Sequence, residues 1–313
     1  MAPVPAAARS VRARGSRVAP VGFRSGIVAV VGRPNVGKST LVNALVGDKV
    51  AIVSDKPQTT RQGIRGIRTT AEAQMVFTDT PGFHKPRTPL GARLNQVVGG
   101  SVEGVDAVVL VVDAAAGVGR GDAFVYAHQL RPLSCPKLCA VNKVDAVHGH
   151  REVPQLQAAS DLGDFEEVVP VSAKTGSGVD LLRELIVEHL PEGPMLYPAE
   201  EVTDQPLEAR LAEMIREKAL EATREEVPHS VAVMVEELER NEGITRIHAS
   251  LIVERDSQKG IVIGRGGAVL KAIGTKARRE MEPMLGTKVF LDLRVKVLKE
   301  WQRDPKALRR LGL

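Results

Sequence analysis

The segment GRPNVGKST, residues 32–40, has the residue types and the spacing of a loop that binds phosphate. Its glycines, Gly32 and Gly37, let backbone N–H groups turn toward phosphate oxygens, and the helix pattern that follows adds a favourable dipole. We predict that Lys38 reaches the outer phosphates of a nucleotide and that the Ser39 hydroxyl binds Mg²⁺. The buried-strand pattern SGIVAVVG precedes the loop and the helix pattern LVNALVG follows it, which is the context that this motif requires.

A second pattern indicates which base the nucleotide carries. The strand-like run KLCAV leads into four residues that could read a base: Asn142, Lys143, Val144 and Asp145. The Asp145 carboxylate can accept two hydrogen bonds from N1 and N2 of guanine, whereas adenine presents no such pair of donors. Three residues after the run FEEVVPV are predicted to close over the base: Ser172, Ala173 and Lys174. The predicted ligand is therefore a guanine nucleotide, and Asp145 argues against an ATPase or a kinase.

Two further segments complete the predicted phosphate and metal site. Asp79 ends the strand-like run MVFTD and is expected to hold Mg²⁺ through water, while the N–H of Gly82 would sense the γ-phosphate. The loop DKPQTTRQGIRG is polar and is expected to be ordered only by the γ-phosphate. Its Thr59 or Thr60 would give Mg²⁺ a second hydroxyl, and the sequence leaves both open. The predicted nucleotide contacts from these segments are Gly32, Arg33, Pro34, Asn35, Val36, Gly37, Lys38, Ser39, Thr40, Asp79, Thr80, Pro81, Gly82 and Phe83.

A second glycine loop, GRGG, comes more than 200 residues later. Its residues, predicted to lie between a strand and a helix, are Gly264, Arg265, Gly266 and Gly267. This is the position of the G-x-x-G loop of a KH domain, which clamps a single-stranded nucleic acid backbone across about four nucleotides. An isolated G-x-x-G is also compatible with an ordinary turn. Four basic residues downstream would line the same groove: Lys271, Lys276, Arg278 and Arg279.

The distribution of charge supports a polyanionic partner. Residues 255–313 hold 15 lysines and arginines against 6 acidic residues, whereas residues 27–254 hold 23 against 32. An acidic body with a basic end indicates that the end binds a polyanion. Residues 1–26 contain five arginines and no acidic residue. We interpret residues 1–24 as a disordered basic tail, with an organelle transit peptide as the alternative.

The segments GRPNVGKST, TTR, DTPG, NKVD and SAK, together with GRGG, resemble the Era family of translation-factor-related GTPases from about residue 25 onward. The expected fold is an α/β P-loop GTPase domain with a mostly parallel sheet, followed by a smaller α+β KH domain of type II. The expected boundaries are 1–24 for the tail, 25–191 for the GTPase domain, 192–206 for a linker and 207–313 for the KH domain.

The resemblance also implies a function. The expected protein is a GTP-hydrolysing switch that binds GTP, GDP and Mg²⁺. Its expected partners are the 3′ region of small-subunit ribosomal RNA and the small ribosomal subunit, whose maturation it would assist. It would act as a cytoplasmic monomer, and members of such a family associate loosely with membranes. The alternative is an RNA-binding module in which bound GTP is structural.

One position departs from the pattern of many small GTPases. Phe83 follows Gly82, where those proteins carry a glutamine that orients the attacking water. Because phenylalanine cannot position water, the catalytic set is reduced to Lys38, Thr60 and Gly82, and we expect slow intrinsic hydrolysis. Two sources of a faster reaction stay open: a K⁺ ion beside the phosphates, held with the help of Asn35, and an arginine from a partner. The nearby His84, Lys85 and Arg87 are interpreted as solvated charges.

Overall fold

The computed structural model describes residues 21–56, 59–61, 63–80, 90, 104–147, 152–223 and 227–311. The first sheet has six strands in the order β2-β3-β1-β4-β5-β6. Their bounds are β1 Arg24–Val31, β2 Ile64–Thr69, β3 Ala73–Asp79, β4 Ala107–Asp113, β5 Lys137–Asn142 and β6 Glu167–Pro170. Strand β2 is antiparallel to β3 and the other pairs are parallel, which confirms the prediction of a mostly parallel sheet.

Helices cover both faces of this sheet, because its central strands are apolar at nearly every position. Strands β3 and β4 are buried along their whole length. One face packs against helices α1, Lys38–Val46, and α4, Val179–His189. The other face packs against α2, Arg120–Val125, a π-helical turn at Tyr126–Leu130, and α3, Glu152–Ser160. In a sheet whose two faces are covered by helices, a ligand binds at the carboxyl ends of the parallel strands.

The second sheet has three strands in the order β7-β8-β9: Ala232–Asn241, Ile244–Val253 and Lys288–Val297. The helices of this part are α5 Leu207–Ala222, α6 Val227–Ser230, α7 Asp256–Ile263, α8 Ala268–Leu285 and α9 Pro305–Arg310. Strand β8 is antiparallel to β7 and parallel to β9. The sequence of β9, KVFLDLRVKV, alternates between apolar and polar residues. Its apolar side forms part of the core: Val289 is buried, and the side chains packed against the same core are Leu291, Leu293, Val295 and Val297.

The prediction that a strand precedes the second glycine loop is wrong. Residues Asp256–Ile263 form helix α7, so the loop joins two helices. The start of α7 is fixed by Gln258, whose side-chain oxygen accepts hydrogen bonds from the N–H groups of Glu254 and Arg255 at 2.9 and 3.1 Å. Val262 is buried in the core, whereas the neighbouring Ile261 is 53% exposed. Burial of only one side of this short apolar run is compatible with a helix.

The connector between the two sheets lies along the first one. The side-chain oxygen of Gln74 accepts hydrogen bonds from the N–H groups of Leu196 and Tyr197, at 2.6 and 2.9 Å. The N–H of Ile67 donates to the carbonyl of Val202 at 2.8 Å. The segment predicted as a linker is therefore hydrogen-bonded to β2 and β3 at this edge of the sheet. Every helix within the described ranges is too short or too polar to cross a bilayer.

Candidate functional site

The first glycine loop joins β1 to α1 and surrounds a buried lysine. The Lys38 ammonium donates to the carbonyls of Gly32 and Arg33, at 3.1 and 2.8 Å. Burial lowers the pKa of Lys38 to about 8, and the negative charge of Asp79 opposes that shift. A desolvated cation at the base of a loop of backbone N–H groups is prepared to bind phosphate oxygens.

Two glycines let this loop pack against neighbouring strands. Gly32 has φ 152° and Gly37 has φ 97°. A Cβ on Gly32 would contact the carbonyl of Val111, and one on Gly37 would contact the side-chain amide of Asn142. The same Asn142 amide donates to the carbonyl of Val36 at 2.9 Å. The phosphate loop is therefore connected directly to the end of β5, where the predicted base-reading residues begin.

Three oxygen-bearing side chains meet beside the loop. The Ser39 hydroxyl donates to Asp79 Oδ2 at 2.7 Å, and the Thr60 hydroxyl donates to the same oxygen at 3.0 Å. The Ser39 and Thr60 hydroxyl oxygens are 3.1 Å apart. Thr59 does not join this cluster, because its hydroxyl donates to the carbonyl of Lys56 at 2.6 Å.

The cluster fits a hard divalent cation. Asp79 is fully buried, and its Oδ1 has no hydrogen-bond partner among the described residues. Burial raises the pKa of Asp79, while Ser39, Lys38 and Thr60 act in the opposite direction. A carboxylate oxygen with no partner and two hydroxyls are ligand types that Mg²⁺ accepts, directly or through water.

The predicted base-reading residues also converge. The Ser172 hydroxyl donates to Asp145 Oδ1 at 2.6 Å, and the N–H of Ala173 donates to Asn142 Oδ1 at 3.0 Å. The Lys143 ammonium donates to the carbonyl of Asn35 at 2.7 Å, which braces this corner against the phosphate loop. Both Asp145 and Lys174 are exposed. One oxygen of the Asp145 carboxylate is thus bound by Ser172, and the exposed side of the carboxylate is accessible to a ligand.

The other predicted nucleotide contacts fall into three groups: residues bound elsewhere in the fold, residues beside the phosphate cavity, and residues outside the described ranges. Arg33 turns away from the loop and pairs with Asp122 at 2.7 Å. Thr80 is buried and its hydroxyl donates to the carbonyl of Val30 at 2.9 Å. Pro34 and Thr40 line a cavity of about 310 Å³ beside Lys38. Six positions lie outside the described residues: Pro81, Gly82, Phe83, His84, Lys85 and Arg87.

The second glycine loop is open to solvent. Gly264, Gly266 and Gly267 have φ 72°, 60° and 79°, and Arg265 between them is exposed. A Cβ on Gly266 or Gly267 would meet no atom within 4 Å, whereas one on Gly264 would touch Val269. The loop needs its glycines for backbone direction, and the open space around Gly266 and Gly267 leaves its backbone accessible to a ligand.

The basic residues of α8 do not share one face. Lys271 and Arg278 are seven residues apart and therefore lie on the same side of the helix, with Lys271 in the first turn after the loop and Arg278 two turns farther along. Lys276 faces α5 instead, where it pairs with Glu221 at 3.2 Å. Arg279 is exposed on the helix surface between these directions. Of the four basic residues predicted to line the groove, only Lys271 and Arg278 therefore share one face of the helix.

Sequence reasoning missed two charged residues of the other domain that bind the segment beside the nucleotide site. Arg216 and Glu217 on α5 are both only 2% exposed, and they contact the segment that contains Thr60. The spacing in LEARLAEMIREKALEA predicts that the charged residues of α5 lie opposite its apolar face. Helical spacing gave no signal for them, because their burial depends on packing against Val53 and Thr59 of the other domain.

Comparison with known proteins identifies a family for each of the two parts of the chain. Residues 27–143 match a family described as 50S ribosome-binding GTPase, and residues 226–302 match the KH domain family. The GTPase Era of Mycobacterium tuberculosis is 52% identical over 297 residues, which cover 93% of this chain and 99% of the relative. The GTPase Era of Mycolicibacterium smegmatis gives the same identity and coverage.

Two solved structures have the same fold over nearly the whole chain. One is Era in complex with MgGDPNP and nucleotides 1506–1542 of 16S ribosomal RNA, and it has a TM-score of 0.89 at 39% identity, covering 93% of this chain and 99% of that one. The other is a variant of Aquifex aeolicus Era bound to GDP and AlF4⁻, with the same values. The predicted pairing of a P-loop GTPase domain with a KH domain is confirmed, and the chain belongs to the Era family of GTPases.

Proposed function

We propose that this GTPase is a nucleotide-controlled switch that binds the 3′ region of small-subunit ribosomal RNA and assists maturation of the small ribosomal subunit. The observation that carries the proposal is the presence of two glycine loops in one chain, one enclosed around Lys38 and one exposed at Arg265. A solved relative of the same fold holds a GTP analogue and a 16S RNA fragment together.

In this proposal the chain's own residues divide the work of binding GTP. Lys38 and the N–H groups of the first loop bind the phosphates, and Asp145 reads guanine through its open side. Ser39, Thr60 and Asp79 would hold Mg²⁺, and the second hydroxyl is Thr60 because it already lies beside the other two. Bound Mg²⁺ neutralises charge on the phosphates. Residues 25–191 form the GTPase domain, 192–206 the connector and 207–313 the KH domain.

Slow intrinsic hydrolysis and a role for K⁺ belong to the same proposal. The amide of Asn35 donates to the carbonyl of Asp55 at 3.0 Å, which places a backbone oxygen beside the phosphate cavity. Oxygen ligands at that edge suit a monovalent cation. We expect faster hydrolysis in potassium than in sodium buffer, and equal rates would remove K⁺ from the proposal.

The partners and the location follow from the family and from the surface. The exposed loop at Arg265, with Lys271 beside it and Arg278 farther along the same face of α8, suits a single RNA strand because phosphates can approach its backbone. We propose a cytoplasmic monomer, consistent with Cys135 and Cys139 as free thiols. A membrane contact or an import signal would depend on residues 1–20, which lie outside the described ranges.

The test is crosslinking of the full chain to cellular RNA, with a non-hydrolysable GTP analogue or with GDP. Enrichment at the 3′ end of small-subunit RNA only with the analogue is the expected result. The matched control carries Arg265→Asp and Gly266→Asp, which should lose RNA while keeping GTP affinity. Equal crosslinking in both nucleotide states would favour the alternative, an RNA-binding module whose GTP is structural.

A further inference from the structure

The segment that carries Thr60 is bound mainly by the KH domain. We call residues 53–61 the switch segment; positions 57 and 58 in it lie outside the described residues. It begins at Val53, whose N–H donates to Glu217 Oε1 at 2.8 Å. It ends at Arg61, whose guanidinium donates to the carbonyl of Val231 at 2.7 Å. Both ends of the segment are therefore attached to residues of the other domain.

Glu217 is held in place from several directions. Its Oε2 accepts hydrogen bonds from the ammonium groups of Lys49 and Lys218, at 2.5 and 2.7 Å. Lys218 also pairs with Glu280 on α8 at 2.8 Å. Burial lowers the pKa of Lys218, but the hydrogen bonds that its ammonium donates to Glu217 and Glu280 raise it above its ordinary value. A buried carboxylate with two cationic partners has little freedom to move, so its other oxygen is a fixed acceptor for the N–H of Val53.

Arg216 binds the switch segment next to Thr60 itself. Its Nη2 donates to the carbonyl of Thr59. Its guanidinium is also bound by Glu213, with Nε to Oε1 at 2.8 Å and Nη2 to Oε2 at 2.6 Å. This fork fixes the direction of the guanidinium. On the other flank, Arg61 lies with its guanidinium 5.4 Å from the ring centroid of Trp301. The residues on either side of Thr60 are thus held by the KH domain, while the Thr60 hydroxyl faces Asp79.

We propose that Arg216 and Glu217 are positioning residues for GTP hydrolysis: across the domain boundary, they hold the switch segment so that Thr60 stands at the metal site. The inference rests on the proposed role of Thr60 in binding Mg²⁺. Ordering a loop costs conformational entropy, and contacts from a helix that is already packed reduce that cost in the GTP-bound state. Neither residue touches the nucleotide site, so each acts through the backbone of the segment.

Arg210 on the same helix provides a matched comparison. Its guanidinium donates across the domain boundary to the carbonyl of Lys49 at 2.8 Å, but it makes no contact with the switch segment among the described residues. Arg210→Ala therefore weakens the attachment of the domains without releasing the segment. Arg216→Ala and Glu217→Ala remove contacts to the segment itself. A difference between these variants separates positioning from general docking.

The experiment measures, for the full-length chain, hydrolysis parameters and affinities for GDP and a non-hydrolysable GTP analogue at varied Mg²⁺. We expect Arg216→Ala and Glu217→Ala to lower kcat and the analogue affinity at limiting Mg²⁺ by roughly tenfold to a hundredfold, the effect of one lost charge-assisted hydrogen bond. GDP affinity should stay unchanged, because GDP does not order the segment. Arg216→Lys, which keeps one donor, should recover part of the loss, and Arg210→Ala should stay close to the parent chain.

Three outcomes overturn the inference. One is an equal loss of GDP and analogue affinity in Arg216→Ala and Glu217→Ala. Another is an effect of Arg210→Ala as large as theirs. The third is parent-like kinetics in both variants when thermal melting shows that they fold. Thr60→Ala distinguishes the source of failure: if it leaves the Mg²⁺ dependence unchanged, the proposed metal role of Thr60 is wrong, whereas a strong Thr60→Ala effect with silent α5 variants rejects the positioning role alone.

Discussion

The two glycine loops differ in how much of the molecule surrounds them. The first is packed against the ends of β4 and β5, and Gly32 and Gly37 have no room for a side chain. The second projects into solvent, and Gly266 and Gly267 have open space around them. Both use positive φ angles, so glycine is required for backbone direction in each. Both of these glycines of the first loop are also required for close approach, whereas in the second loop only Gly264 is, against Val269.

The difference reflects the size of the ligand that each loop suits. A nucleotide is small, so a site that discriminates among bases must contact it from several strands and leave no water in the gaps. A nucleic acid strand extends past any one loop, so the contact must be open at both ends. The predictions below test whether enclosure and exposure have these consequences.

The largest effect is expected at the base-reading corner of the enclosed site. Asp145→Asn replaces the acceptor for the guanine N1 and N2 donors, and the resulting amide suits the oxygen at that position of xanthine. The preference for guanine over xanthine nucleotides should fall by about 10⁴, the scale on which unpaired polar groups are rejected. Competition binding with GDP and XDP measures this ratio. Unchanged guanine preference would disprove the assignment of Asp145.

A smaller effect is expected from a methyl group in each loop. In Gly37→Ala the new Cβ meets the Asn142 amide, and the strain of about 1–3 kcal/mol should reduce nucleotide affinity by roughly 10- to 100-fold. In Gly266→Ala no atom is displaced, so RNA affinity should fall less than about tenfold, from the positive φ alone. Titration of each variant with both ligands completes the comparison. Equal losses at the two positions would contradict the claim that only the first loop is enclosed.

The enclosed loop should also make nucleotide affinity depend on pH. Lys38 in the ligand-free protein has its pKa lowered to about 8, and phosphate favours its charged form. Binding above pH 8 therefore takes up a proton, and affinity should fall roughly tenfold between pH 7 and 9. The unfolded chain, with pKa 10.5, binds this proton more readily, so stability of the ligand-free protein should rise with pH between about 8 and 10.5.

Calorimetry in buffers of different ionisation enthalpy measures the proton uptake directly. RNA binding gives the internal control, because Lys38 takes no part in it. A pH-independent nucleotide affinity, or an equal decline in RNA affinity, would show that Lys38 is not the group responsible.

The smallest effect is expected for one exposed arginine. Arg265→Ala removes a single phosphate contact, so RNA affinity should fall severalfold and the slope of log K against log salt should decrease by about 0.7. The change should be the same for different RNA sequences, since a phosphate contact carries no base information. Filter binding over a range of salt concentrations measures it. A sequence-dependent loss would mean that Arg265 contacts a base.

The sequence predicted the parts whose physics is local. The apolar run SGIVAVVG followed by a phosphate motif indicates a buried strand and a loop. In β9 the alternation of apolar and polar residues is enough to identify the face that packs in the core. Helix α7 was mistaken for a strand because three consecutive apolar residues, Ile261 to Ile263, fit either period. The helix is favoured by the Gln258 side chain, whose oxygen accepts hydrogen bonds from the backbone directly before the helix. Arg216 and Glu217 were out of reach, because their burial depends on the other domain.

Trp301 gives the protein an optical probe of its own switch. It is the single tryptophan of the chain, it is fully buried, and its indole N–H donates to the carbonyl of Ser230 at 3.0 Å. The guanidinium of Arg61 lies over its ring, and Arg61 adjoins Thr60. Emission from this indole therefore reports when the segment beside the metal site arrives or leaves, so stopped-flow fluorescence can time that movement in the unlabelled protein.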